Sequence, residues 1–419
     1  MNTYVLQITK TYWANYTGLQ KLAWHGIFLS FIESIFIGIY YFLPIYFIQE
    51  LKFNLISAGF IISFYGFGTI AGGFIGGKLS DIFTSTKICI FSLLLQAIVF
   101  LLLVKIKSSY LLSLEMLLMG FFSYTFLTAN HLWVLEKCGS DQKQKLRALN
   151  ILNVASNMGL AISAIIMGFL VGYHFQIIFI VGSIFIFLSA IYFAIIQEDK
   201  INTSRTKNMK FTTKGNNLHG NNIPIIILLA LLCSFLMGFI IFQTNTTYSQ
   251  YLQDTFPNFG LQALSILFTI NCLMVVFLQT PLVGWLAKFN NILLMGMGAF
   301  FIGVGMVVLN FSHLFWITIL SCIIYTVGEM LFCSLSQLIC YQAGEANKKG
   351  KAMGLYRAVY ASSRVIAPSL GSLIYQVWGG NILWYFCGTL GSICFIICII
   401  YQKISVNSSK CLTVTSTKF

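Results

Sequence analysis

Long apolar runs, separated by short polar segments, follow one another along nearly the whole chain. A helix that crosses a membrane needs about 20 apolar residues, because each adds ~1.5 Å and the hydrocarbon layer is ~30 Å thick. Twelve runs can be drawn: residues 22–47, 55–79, 88–104, 111–134, 148–175 and 177–196, then 224–248, 261–287, 292–311, 314–339, 352–377 and 382–401. The expected fold class is therefore an all-α membrane protein of twelve transmembrane helices. The fifth and sixth runs are parted only by His174 and Gln176.

The polar segments divide the chain. The longest, residues 197–223, carries Glu198, Asp199, several basic residues and the tract Gly215-Asn216-Asn217, and reads as a flexible linker between six spans and six. The expected organisation is an N-terminal segment (1–21), a six-helix half (22–196), the linker (197–223), a second six-helix half (224–401) and a tail (402–419). Two echoes suggest duplication. Gly77-Lys78-Leu79-Ser80-Asp81 joins the second and third runs, and Gly284-Trp285-Leu286-Ala287-Lys288 joins the eighth and ninth, 207 residues later. The loop before the fifth run ends Arg147-Ala148, and that before the eleventh ends Lys351-Ala352. Six-plus-six repeats are one of the schemes of secondary transporters, with the substrate site near the midplane between halves.

Composition removes the soluble alternative: 58% of residues are hydrophobic and 9% charged, against roughly 25% charged in soluble domains. The net charge of +14 is a matter of topology. With a cytoplasmic N-terminus, only Lys52, Lys105 and Lys107 fall outside and only Arg357 and Arg364 within a span; the other twenty of the 25 basic residues lie inside. Such a bias places both termini in the cytoplasm of a multi-pass protein, here expected in a bacterial inner membrane. A nucleic-acid partner would require a basic face on a soluble domain, so the expected partners are the bilayer, a small-molecule substrate and protons, with the chain a monomer. The N-terminal residues lack the short apolar core of a secretory signal. Most of the eleven cysteines lie within spans, with no CxxC or His/Cys cluster, so neither a metal nor another cofactor is expected.

Several short segments add to this. Gly77-Lys78-Leu79-Ser80-Asp81, Gly328-Glu329-Met330, Gly350-Lys351-Ala352-Met353-Gly354 and Ala367-Pro368-Ser369-Leu370-Gly371 together resemble the major facilitator superfamily, over all twelve spans, and within it the drug/proton antiporter-like branch. The resemblance implies the major facilitator fold, alternating access and no enzymatic activity. It also implies a cytoplasmic gate at Gly77, Asp81 and Lys87, in which Asp81 closes against the start of the eleventh helix. Residue by residue, Gly77 would permit a tight turn and Asp81 would offset a helix dipole; a plain turn with a solvated carboxylate is the alternative. The chain departs from the family pattern twice. Ile82-Phe83-Thr84-Ser85-Thr86 replaces the usual basic residues before Lys87, and Gly159 to Gly168 holds no proline where antiporters carry a Gly-Pro signature.

Ionisable residues within spans cost roughly 2.5–3.5 kcal/mol each at the helix centre, so they need a reason to be there. Glu33, near the middle of the first span, suits a proton carrier; alternatively it is the permanent partner of a basic residue in the other half. Glu329 and Arg357 form either a salt bridge or a second coupling element. Glu115 lies near the outer end of its span, where its carboxyl is expected to reach water. Arg364 shares a helical face with Arg357 and Tyr360, an arrangement suited to an anionic or zwitterionic substrate; otherwise the two arginines neutralise Glu33 and Glu329. Asn150, Asn153 and Asn157 stripe the fifth span. Gln243, Asn245 and Tyr248 mark the seventh, Asn271 and Gln279 the eighth, and Tyr124, Thr128 and His131 the fourth. Gly68, Gly72 and Gly76 form a small-residue stripe for close helix packing.

Glu33 and Glu329 are therefore the expected proton-coupling residues. Arg364, Arg357, Tyr360, Asn153, Asn157, Asn245 and Tyr40 are the expected substrate-binding residues. The expected function is proton-coupled efflux of a small organic molecule. Proton-coupled uptake of a nutrient or anionic metabolite, such as a carboxylate or metal-chelate, is the alternative, and a non-transporting membrane receptor a third.

Overall fold

The structure, a computed structural model, describes residues 19–138, 142–169, 175–198, 225–286, 289–343 and 349–416. The expected linker therefore lies almost wholly outside the described residues, as do residues 1–18. Among the described residues the chain forms twelve long helices. The first six are α1 (Lys21–Glu50), α2 (Leu55–Ile82), α3 (Ser85–Leu102), α4 (Ser109–Lys137), α5 (Gln142–Phe169) and α6 (Phe175–Glu198). The second six are α7 (Ile225–Ile241, with an extension Thr247–Thr255), α8 (Gly260–Leu286), α9 (Asn291–Val308), α10 (Phe315–Ala343), α11 (Lys349–Trp378) and α12 (Gly380–Ser416). Eleven are long and apolar enough to cross a membrane. The remaining one, α11, is long enough at 30 residues but carries Arg357, Arg364, Ser362, Ser363 and Gln376. That polarity belongs to a helix that packs against the other half.

The sequence explains where the helices start and where they deform. Asn54 caps α2 by accepting from the Ser57 amide at 2.8 Å, and Asn290 caps α9 by accepting from Ile292 and Leu293 at 2.9 and 3.2 Å. Regular geometry in α1 runs for 17 residues, to Ile37. It then tightens into a 3-10 segment (Gly38–Phe42), passes through Leu43–Ile45 and widens into a π turn (Tyr46–Glu50). Pro44 is the cause, since its ring crowds the preceding turn and it lacks an N–H to donate. The counterpart α7 is also regular for 17 residues before a 3-10 segment at Phe242–Asn245, so each repeat breaks its first helix at the same depth.

Two features differ from the sequence expectation. Gly76 to Asp81 is not a turn but the last part of α2, which ends at Ile82; the chain reverses at Phe83 and Thr84, before α3. Leucine and isoleucine carry the helical pattern straight through the glycine pair. At the other end of the chain, α12 continues through residue 416, well into the segment read as a tail.

Packing follows the repeat. In the first half α2 lies on α4, α3 on α4 and α6, and α1 on α5; in the second, α9 lies on α10 and α12, and α11 on α7. The halves meet through α2 with α11 and through α8 with α5. In a six-plus-six repeat these two contacts are equivalent, because α8 corresponds to α2 and α11 to α5. Helices α2 and α4 meet at backbone distance. A Cβ placed on Gly68, Gly72 or Gly120 would strike the backbone of the facing helix at Leu117, Phe121 or Tyr65 respectively. The small-residue stripe thus does what its spacing predicts.

The contacts between halves gather at the end of the bundle remote from the chain termini. There Ser63 and Ser369 share a hydrogen bond of 2.7 Å, Gln376 Oε1 accepts from the Ile56 amide at 3.2 Å, and Gln49 donates to Gln253 at 3.0 Å. Gly168 of α5 abuts Ser265 of α8 at the same end. Toward the terminal end, Asn153 and Arg357 are exposed, and a Cβ on Gly77 would meet nothing within 4 Å.

Candidate functional site

The carboxyl of Glu33 turns into its own half of the bundle. The residue is 5% exposed, and its Oε1 accepts from Ser123 Oγ of α4 at 2.8 Å and Gln96 Nε2 of α3 at 3.3 Å. Neither partner is charged, so among the described residues no ion pair compensates a permanent carboxylate there. One turn nearer the terminal end, Asn130 donates to Ser30 Oγ and to the Gly26 carbonyl, both at 2.8 Å, and fixes α1 against α4. Gln96 and Ser123 were not legible as partners, because a lone glutamine or serine in an apolar run does not state which helix it faces.

Glu115 differs from its expectation. It is 2% exposed and neither carboxyl oxygen has a hydrogen-bond partner. At the same end of the bundle the Tyr46 hydroxyl donates to the Leu103 carbonyl at 3.4 Å.

Arg364 sits where α2, α4, α7 and α11 converge. Its Nη1 donates to the Tyr124 hydroxyl across the boundary between halves. Its guanidinium lies 4.6 Å from the ring centre of Phe242, 5.3 Å from that of Tyr124 and 6.0 Å from that of Tyr65. Aromatic faces attract a cation through their quadrupole, and here they stand where a carboxylate was expected. Its Nε has no hydrogen-bond partner. Arg357, two helical turns toward the terminal end, is exposed. Glu329 is bonded by Asn271, so the structure brings together neither the Glu329–Arg357 pair nor a pair of Glu33 with an arginine.

A cavity of about 120 Å³ opens between α1, α5, α7, α8 and α10. Its polar wall is Glu329, Asn271 and Asn157, and its aromatic wall includes Tyr41, Phe242, Phe268 and Tyr325. Asn271 Nδ2 donates to Glu329 Oε2 at 2.9 Å and to Thr326 Oγ1 at 3.0 Å, so the amide is fixed by two residues of α10. Tyr41 enters the cavity from the 3-10 segment of α1 and packs on Phe268 with ring centres 4.3 Å apart.

The expected site residues therefore scatter. Asn157 and Glu329 line the cavity. Tyr40 does not: it is 2% exposed and stacks on Tyr65 with ring centres 3.9 Å apart, leaving the cavity to Tyr41. Tyr360 stacks on Tyr356. Asn153 accepts from Asn157 Nδ2 through its backbone carbonyl at 2.9 Å. Asn245 lies in the 3-10 segment after α7; its side chain, like those of Asn150 and Asp81, is outside the described residues. Lys87 is exposed in the first turn of α3. Gln243, one of the polar residues that mark the seventh span, is fully buried: it donates to the Ala367 and Phe239 carbonyls at 3.2 Å each and ties α7 to α11. Among the described residues no group of His, Cys, Asp and Glu is placed to hold a metal.

A bundle of membrane-crossing helices, with paired contacts between its halves and a polar cavity at their boundary, has the architecture of a secondary transporter. The chain belongs to the Major Facilitator Superfamily, whose model matches residues 24–368. It is similar to the uncharacterized MFS-type transporter YttB of Bacillus subtilis (strain 168), with 23% identity over 56% of this chain and 58% of that one. It is also similar to the uncharacterized MFS-type transporter YhjO of the same organism, with 21% identity over 89% and 90%. The match to YttB spans little more than half the length of that relative. Among solved structures, the fold is similar to that of a POT family transporter in complex with 5-aminolevulinic acid, with a TM-score of 0.77 and 15% identity over 90% of this chain and 95% of that one. It is also similar to that of the nucleoside transporter NupG, with a TM-score of 0.72 and 13% identity over 92% and 100%. These relatives and neighbours are transporters, in keeping with the expectation of no enzymatic activity. The drug/proton branch receives no separate support from them.

Proposed function

We propose that the chain is a secondary transporter that exports a small organic molecule in exchange for protons, by alternating access. The observation that carries proton coupling is the pocket of Glu33. A buried carboxyl held only by the neutral Ser123 and Gln96 is free to exist with or without its proton, as a carrier must. The basic-residue bias puts the chain termini in the cytoplasm. On that orientation the closed end of the bundle faces outward, and the helices are arranged as an inward-facing carrier. The exposed Arg357 and the open space beside Gly77 agree with a parted cytoplasmic gate, in which Gly77, Asp81 and Lys87 would engage the start of α11 in the other state. The cavity at Asn157, Asn271 and Glu329 is the transport site in this reading.

Uptake with protons is the second reading, and one observation favours it: Arg364 holds a fixed positive charge at the boundary between halves, where an anionic nutrient would pass. Reconstituted proteoliposomes separate the two. With an imposed pH gradient, export predicts that a transported compound and protons move in opposite directions, seen as substrate-dependent dissipation of the gradient. Glu33→Gln is expected to remove that exchange. Co-directional movement would overturn the export reading, and unchanged proton movement in Glu33→Gln would overturn the role of Glu33.

A further inference from the structure

The cavity between the halves is chemically one-sided. Its only carboxyl group, among the described lining residues, is that of Glu329, and no basic side chain joins it there. Asn271 takes one carboxyl oxygen of Glu329, Oε2, and is itself held in place by Thr326. Oε1 accepts no hydrogen bond from the protein among the described residues. Glu329 thus presents a fixed, half-satisfied acceptor to the cavity.

The aromatic wall points the same way. Tyr41, Phe268 and Tyr325 share the cavity with Glu329, and ring faces attract cations and not anions. Arg364, which the sequence nominates as an anion hook, does not line the cavity. It packs over Phe242 and donates to Tyr124, so Phe242 and not the guanidinium meets whatever the cavity holds. A negatively charged guest would face Glu329 and aromatic side chains, with no basic side chain among the described lining residues. The present volume, about 120 Å³, is below the ~300–1,000 Å³ of drug-sized pockets, and fits a single ring or a short chain.

We infer that this cavity is a binding site for a small organic cation, its ammonium group paired with Glu329 Oε1 and its apolar part against Tyr41, Phe268 and Tyr325. This assigns Glu329 to the cargo and not to the proton, which leaves Glu33 as the coupling carboxyl. It rests on the reading of the cavity as the transport site, but the test does not require transport.

Purified full-length protein is titrated with three probes of nearly equal size: benzylammonium, benzyl alcohol and benzoate. Binding is followed by thermal stabilisation and by calorimetry, without any proton gradient. Benzylammonium is expected to bind at least tenfold tighter than either of the others. Glu329→Gln is expected to erase that preference, and Glu329→Asp to keep it. Equal or tighter binding of benzoate, or a preference that survives Glu329→Gln, would overturn the assignment. If Glu329→Gln does not fold, the ranking of the three probes on the unsubstituted protein decides. Cation preference without transport would strike the transport reading alone, and coupled transport of an anion would strike this inference alone.

Discussion

Gly72 and Gly73 are neighbours on α2 with opposite surroundings, and replacing each by alanine isolates the value of the α2–α4 contact. A Cβ on Gly72 would collide with the Phe121 carbonyl oxygen of α4 and stand 2.9 Å from its carbonyl carbon and Cα. Carbon atoms prefer ~3.5–4.0 Å, so the helices must part by roughly 0.6–1 Å, and a gap of 0.5–1 Å forfeits a quarter to a half of each dispersion contact along the seam. The Thr125 hydroxyl, which donates to the Gly72 carbonyl at 3.2 Å, is stretched by the same shift. Overpacking of this kind costs about 1–3 kcal/mol. A Cβ on Gly73 meets nothing within 4 Å, and alanine there gains up to about 1 kcal/mol of helix propensity. The two variants are thus expected to differ by about 1–4 kcal/mol. The described cysteines are free and all but Cys333 are buried, so a thiol-reactive fluorophore reports unfolding directly. Gly72→Ala should melt several degrees below the parent, and Gly73→Ala at or above it. Equal melting of the two variants would refute the claim that backbone contact sets the α2–α4 distance.

Other substitutions test the remaining joints. Ser63→Cys with Ser369→Cys, placed where the two hydroxyls are 2.7 Å apart, is expected to cross-link on mild oxidation and stop turnover until a reductant is added; continued transport by the cross-linked protein would show that this contact does not open. Gln243→Leu removes the side-chain donor to the Ala367 carbonyl and one of the two acceptors of the Thr247 hydroxyl, which keeps the residue 243 backbone carbonyl, at a cost of about 0.5–1.5 kcal/mol per lost bond, which the same melting assay measures. Tyr124→Phe removes the acceptor of the Arg364 guanidinium, and a double-mutant cycle with Arg364→Gln is expected to give a coupling energy of about 0.5–3 kcal/mol; zero coupling would mean the contact holds nothing.

The helix order was legible because membrane thickness imposes a length, and an apolar run of that length has few other fates. α11 was legible in the same way despite its arginines, since its polar residues interrupt the run without ending it. The ends of helices were not, because glycine and serine next to lysine read as a turn, whereas α2 carries them as its final turns. Within the site, the sequence named Glu33, Glu329, Asn157 and Asn271 but not their company. Which face of α1 meets α3 and α4 depends on a rotation of the helix, and a rotation by one residue exchanges Tyr40 for Tyr41 at the cavity. The 3-10 segment that Pro44 induces sets that rotation, and proline identity alone does not report its size. Arg364 was hard to place for a related reason: a charge in a span demands a partner, and here its neighbours are the rings of Tyr124, Tyr65 and Phe242 and the Tyr124 hydroxyl, which no sequence pattern announces.

The glycine seam between α2 and α4 also bears on how movement travels. A lever delivers motion only if its beam does not flex, and α2 is braced along its length by a second helix at backbone distance. Ser63, which touches the other half, and Gly77, toward the terminal end, lie fourteen residues apart on that beam, or about 21 Å of helix. In the proposed alternating-access cycle, parting the first end of the bundle would swing the second directly, and no signal would have to pass through the cavity between them.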